Sequence, residues 1–100
     1  MSRTSQALLA PVQAWIEAGL GHPEAARALL EEAPPATVVW QPGREWLASQ
    51  AALQLGDLDL ATACLDRLEA IVDERGAGAQ NLRRAKRTRA RIAALRAAAD

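Results

Sequence analysis

The 100-residue chain contains no phenylalanine and no tyrosine, and its aromatic side chains are three tryptophans, Trp15, Trp40 and Trp46. With only three aromatic side chains the core must come from Leu, Ala, Val and Ile, which suits closely packed helices. β-branched residues are also scarce and mostly isolated, the pair Val38-Val39 apart, which argues against a sheet. The single cysteine, Cys64, can form no internal disulfide, so nothing requires an oxidising compartment and the expected location is the cytoplasm. No apolar run approaches the roughly 18 residues of a membrane helix. The N-terminal run is too short for a signal peptide. There is no Cys-His cluster for zinc, no glycine-rich phosphate loop ending in lysine and no Gly-x-Ser-x-Gly elbow. The only histidine, His22, precedes Pro23, where a helix cap is a better reading than a base without a partner. The expectation is a single domain, not an enzyme, with no cofactor and no metal.

What is present is segregated charge. The formal net charge is zero, yet residues 1–80 carry five basic against eleven acidic side chains. Residues 81–100 carry seven basic side chains (Arg83, Arg84, Lys86, Arg87, Arg89, Arg91, Arg96) against Asp100 alone. Such asymmetry points to a segment that binds an acidic partner or docks on the chain's own acidic body.

Helix punctuation divides the chain. A helix starting near Pro11 runs to Leu20 and ends at Gly19 and Gly21. The next opens at Pro23, buries Ala26, Leu29, Leu30 and Ala33, and ends at Pro34-Pro35. Residues 34–43, with three prolines and no helical period, read as an extended connector. A third helix begins at Pro42 or just after and stops at Gly56. Asp57 caps a fourth, whose apolar face is Leu60, Ala61, Cys64, Leu65, Leu68, Ile71 and Val72. Cys64 on that face reads as an inert core thiol. Gly76-Ala77-Gly78 precede a last helix over about 80–98.

Shifting the chain by 35 positions carries Leu20-Gly21 onto Leu55-Gly56, Ala26 onto Ala61, Leu30 onto Leu65 and Ala33 onto Leu68. Glycine permits the tight reversal, alanine the close approach of two helices, and leucine fills the gap to the next pair. These residues resemble the tetratricopeptide family, whose repeat is about 34 residues long. The better copy is Gly56-Asp57-Leu58-Asp59-Leu60-Ala61 with Leu65 and Leu68, and the weaker is Gly21-His22-Pro23-Glu24-Ala25-Ala26 with Leu30 and Ala33. The likeness covers about residues 10–75. The first helices depart from the family pattern: Trp46 stands one residue closer to the glycine than the family's tryptophan, and Glu17 and Ala52 replace its mid-helix aromatic. A degenerate member and an unrelated helical bundle both fit those residues. The resemblance implies an all-α fold of about five helices. Two antiparallel hairpins, about 10–33 and 44–75, would stack as a short solenoid, and the basic amphipathic helix of about 80–98 would cap it.

On a helical wheel Ala85, Thr88, Ile92, Leu95 and Ala99 form the apolar side of the last helix, and Arg83, Arg84, Arg87 and Arg91 cluster opposite. Arg89 and Arg96 lie at the edge of the stripe, within reach of acidic groups on the preceding hairpin. A solvated capping face is the first reading of the cationic cluster, an acidic protein surface the second and nucleic acid the third. In the tetratricopeptide arrangement first helices line the concave, peptide-binding surface, which would bring Trp15 and Trp46 there; packing between helices is the competing role. Trp40, in the connector, reads as a plug over the first hairpin or as an exposed anchor. The expected function is a protein or peptide interaction module. A nucleic-acid module and a self-associating bundle, with a second copy as partner, are the alternatives.

Overall fold

The computed structural model describes residues 3–32, 41–75 and 79–99, with side chains from Leu8 onward. They form five helices: α1 (Arg3–Gly19), α2 (Pro23–Glu32), α3 (Gln41–Leu55), α4 (Leu58–Arg75) and α5 (Ala79–Ala99). The fold is all-α. Trp40 and residues 34–40 of the expected connector lie outside the described residues.

The two glycine turns repeat bond for bond. At the end of α1 the His22 N–H donates to the Glu17 carbonyl (2.9 Å) and the Gly21 N–H to the Ala18 carbonyl (3.2 Å). Thirty-five residues on, the Asp57 N–H donates to the Ala52 carbonyl (2.9 Å) and the Gly56 N–H to the Leu53 carbonyl (3.0 Å). The pattern needs a left-handed residue, supplied by Gly21 (φ +84°) and Gly56 (φ +74°). The following helices also start alike, with Ala26 N–H on the His22 carbonyl and Ala61 N–H on the Asp57 carbonyl, both at 3.1 Å. Ala26 and Ala61 are fully buried, as helices meeting closely require.

Two boundaries differ from expectation. Helix α1 begins at Arg3 rather than near Pro11, and Pro11 lies within it. Proline removes its own N–H from the helical ladder and crowds the preceding turn, yet its ring is among the largest fully buried side chains. Burial of the ring offsets the lost bond. Helix α3 begins at Gln41, so the connector is shorter than 34–43; Pro42 sits in the first turn, where its missing N–H has no intrahelical partner to lose.

Helix α3 touches all four other helices; besides these contacts α1 packs on α2, and α4 on α5. A helix flanked on several sides must be small and buried around much of its circumference, and Ala48, Ser49, Ala51 and Ala52 meet that need. The Ser49 hydroxyl, fully buried, donates to the Trp46 carbonyl at 2.5 Å. The larger core cluster joins Ala52 of α3, Ala61, Leu65, Leu68 and Val72 of α4, and Ala85 and Ile92 of α5. A smaller one joins Ala14, Ala26 and Ala51 under Trp15, Leu29, Leu30 and Leu55. Most large aliphatic burial is therefore in the second hairpin and α5.

Asp57 connects the two hairpins. Its Oδ1 accepts the Leu60 N–H (3.0 Å), capping α4, and its Oδ2 accepts Arg27 Nη1 of α2 (3.1 Å). The Leu60 amide first, and then Arg27, hold its carboxyl below the ordinary value of 3.8. A carboxyl depressed on folding stabilises above its unfolded pKa, and that stabilisation is lost as pH falls through the folded value. Asp57→Ala should therefore cost about 1 kcal/mol at neutral pH. Denaturant melts at successively lower pH should show the gap from wild type closing once pH drops below 3.8.

Candidate partner-binding groove

Helix α5 divides its cations between two flanks. Toward α4, Arg89 donates from Nε to Glu69 Oε1 (2.7 Å) and from Nη2 to Asp66 Oδ1 (2.6 Å), and Arg96 Nη2 reaches Asp59 Oδ1 (3.0 Å). These are the contacts expected at the edge of the apolar stripe. The Glu69 and Asp66 carboxylates raise the Arg89 pKa further above its ordinary value. These bonds dock α5 on the acidic hairpin.

Toward α3 the cations meet no carboxylate among the described residues. Arg84, Arg87 and Arg91 line a cavity of about 210 Å³ together with Trp46, Gln50 and Thr88. The Arg84 guanidinium lies 4.7 Å from the centroid of the Trp46 ring, an arrangement worth about 1 kcal/mol where partly desolvated. Trp15 meets Trp46 in a T-shaped contact, with centroids 6.1 Å apart and planes at 88°. The Thr88 hydroxyl donates to the Arg84 carbonyl (2.8 Å) and accepts from Gln50 Nε2 (3.2 Å), tying α5 to α3. Among the described residues Arg83, Arg87 and Arg91 have no ion-pair partner.

The structure thus joins candidates that sequence periodicity left on separate helices. Trp15 and Trp46 are half-buried and pack against the smaller and larger core clusters respectively, so each also serves the core. Arg83 is exposed and does not line the cavity, separating it from the other three arginines. Gln50 and Thr88 were missed as site residues. The wheel gave Thr88 only as a member of the apolar stripe, and nothing near Gln50 in sequence marks a site. Trp40 lies outside the described residues.

A second polar cluster is structural. Glu45 of α3, 3% exposed at its side chain, accepts Arg67 Nε (3.1 Å), Gln41 Nε2 (2.9 Å) and Arg44 Nη1 (3.4 Å). Arg67 also bonds Cys64 Sγ at 3.3 Å. Burial pushes the Cys64 thiol up to about 11, and the Glu45 carboxylate adds to the effect. The folded protein should hold about 100-fold less thiolate than an ordinary cysteine at neutral pH. Stopped assays with a disulfide reagent are expected to show labelling slower by at least that factor before than after denaturation. His22 Nδ1 pairs with Glu17 Oε2 at 2.6 Å, and its backbone carbonyl starts α2.

Among the described residues no three His, Cys, Asp or Glu side chains group closely enough to hold a metal ion. No described helix is long and apolar enough to cross a membrane. Comparison with family models, with curated proteins and with solved structures returns no match for this chain. The functional reading therefore rests on the groove itself.

Proposed function

We propose that the chain is a small, non-catalytic, cytoplasmic protein-interaction module whose hairpins stack as a short tetratricopeptide-like solenoid. In this reading α1, α3 and α5 are successive first helices, and the groove between α3 and α5 receives an acidic segment of a partner protein. The observation that carries it is the cluster of Trp46, Arg84, Arg87 and Arg91: three cations and an indole around one cavity, with Arg87 and Arg91 free of ion pairs among the described residues. The bond-for-bond repeat of the turns and the α1–α3 and α3–α5 contacts support the stacking. Carboxylates pair with arginine by charge-assisted bonds, while exposed Leu95, one turn beyond Arg91 along α5, offers an apolar contact near them.

Nucleic acid is the competing ligand for these cations. Arg84 already covers a face of Trp46, which leaves the indole less open to stack on a base. An affinity capture from the native cell, at low and moderate salt and with nuclease treatment, separates the two. The wild-type chain should retain a protein partner after nuclease and at moderate salt, and Arg84→Glu/Arg87→Glu/Arg91→Glu should lose it. Loss of every partner on nuclease treatment contradicts the proposal.

A further inference from the structure

The first hairpin leaves a different surface uncovered. Between α1 and α2 lies a cavity of about 550 Å³ lined by Gln13, Ile16, Glu17, Ala25, Ala28 and Leu29, and mostly apolar. Ile16 is 55% exposed and Leu20, at the end of α1, 65% exposed. Among the described residues the exposed large aliphatics fall on α1 (Leu9, Ile16, Leu20) and α5 (Leu82, Leu95), the two helices at opposite ends of the stack. One turn beyond Ala28, on the side of α2 that lines the cavity, stands Glu32, exposed and without an ion pair among the described residues.

The opposite end of the molecule is complementary. Ile92 is the last buried residue of α5, and the two turns beyond it are exposed and rich in alanine. Opposite the buried line Ala85, Thr88 and Ile92 runs an exposed line of Arg83, Lys86, Ala90, Ala94 and Ala97, cationic in its first turns and apolar in its last. Neither Arg83 nor Lys86 has an ion-pair partner among the described residues.

We infer that copies of this chain associate head to tail, with the outer face of α5 from one copy seated in the α1–α2 groove of the next. The occupant is a second copy because charge and spacing agree in one orientation. With α5 antiparallel to α2, Arg83 and Lys86 meet Glu32 while Ala90, Ala94 and Ala97 enter the groove at Ala28 and Ala25. Along α5 the step from Lys86 to Ala94 is about 12 Å, and along α2 the step from Glu32 to Ala25 is about 10 Å. That orientation sets the incoming α5 beside α1, continuing the α1–α3 and α3–α5 contacts made within one chain. The contact joins two different surfaces, so each copy keeps one open end and the assembly grows as a chain instead of closing as a symmetric pair. It uses no residue of the Trp46 cavity, and its outcome is independent of the proposed function.

Sedimentation velocity of the full chain tests it, with two variants at exposed alanines. Wild type at low salt should show a weight-average mass that rises with concentration through the high-micromolar range and falls on adding salt. Ala28→Arg fills the groove and Ala94→Glu spoils the α5 face, so each alone should stay monomeric, with circular dichroism confirming wild-type helicity. Mixed in equal amounts, the two should form a one-to-one complex that grows no further, because each retains the end the other lacks. Monomeric wild type throughout overturns the inference. So does a mixture that stays monomeric, or either variant associating like wild type.

Discussion

Leu65→Ala is expected to destabilise the protein by about 3 kcal/mol, lowering the melting temperature by roughly 15 °C. Leu65 is fully buried at the centre of the larger cluster, where α3, α4 and α5 converge, and truncation leaves a cavity that helices on three sides cannot all close. Its counterpart 35 residues earlier, Leu30, is only half-buried beside the alanine cluster, and Leu30→Ala should cost about 1 kcal/mol. Parallel thermal and urea melts of the two variants measure this difference. Equal losses would mean that the hairpins share the core evenly, against the burial seen here. An unequal division also makes the first hairpin the region of lower local stability, which native-state hydrogen exchange reads directly.

Glu45→Ala is expected to cost about 2 to 3 kcal/mol. The carboxylate is buried and accepts from Gln41, Arg44 and Arg67, so its removal takes an acceptor from each and breaks the ion pair that ties α3 to α4. Arg67 is half-exposed and can turn to water, which keeps the loss below that of a fully enclosed pair. Replacing both partners, as Glu45→Met/Arg67→Met, should recover at least half of the loss, because the buried charge and one of its donors disappear together. A double-mutant cycle of Glu45→Met, Arg67→Met and the double variant on urea midpoints checks it; strictly additive losses would show that the two side chains are not coupled.

These energetics rest on features of unequal visibility in the sequence. The glycine turns were legible because a left-handed residue between two helical periods leaves few choices but glycine, and Gly21 and Gly56 stand in register. The apolar face of α4 and the reach of Arg89 and Arg96 toward acidic groups followed from helical periodicity alone. The start of α1 was not legible: local rules treat an internal proline as a break, and only tertiary burial of the Pro11 ring explains its place. Nor was the central position of α3, since a helix buried by several neighbours shows little amphipathic pattern and its alanines look merely helix-favouring. The groove was legible only in pieces. Trp46 and Arg84 are 38 residues apart on helices whose contact no local pattern encodes, so the cationic face and the tryptophans read as separate candidates.

The most direct test of the central claim, that the α3–α5 groove receives an acidic protein segment, is an NMR titration of the chain with a short peptide alternating glutamate and leucine. At moderate salt the Trp46 indole N–H and the amides of Gln50, Arg84, Arg87, Thr88 and Arg91 should shift together and saturate, and Arg84→Glu/Arg87→Glu/Arg91→Glu should abolish the response. Saturable shifts confined to other surfaces, an unchanged response in the charge-reversed variant, or no saturable shift at all would contradict it.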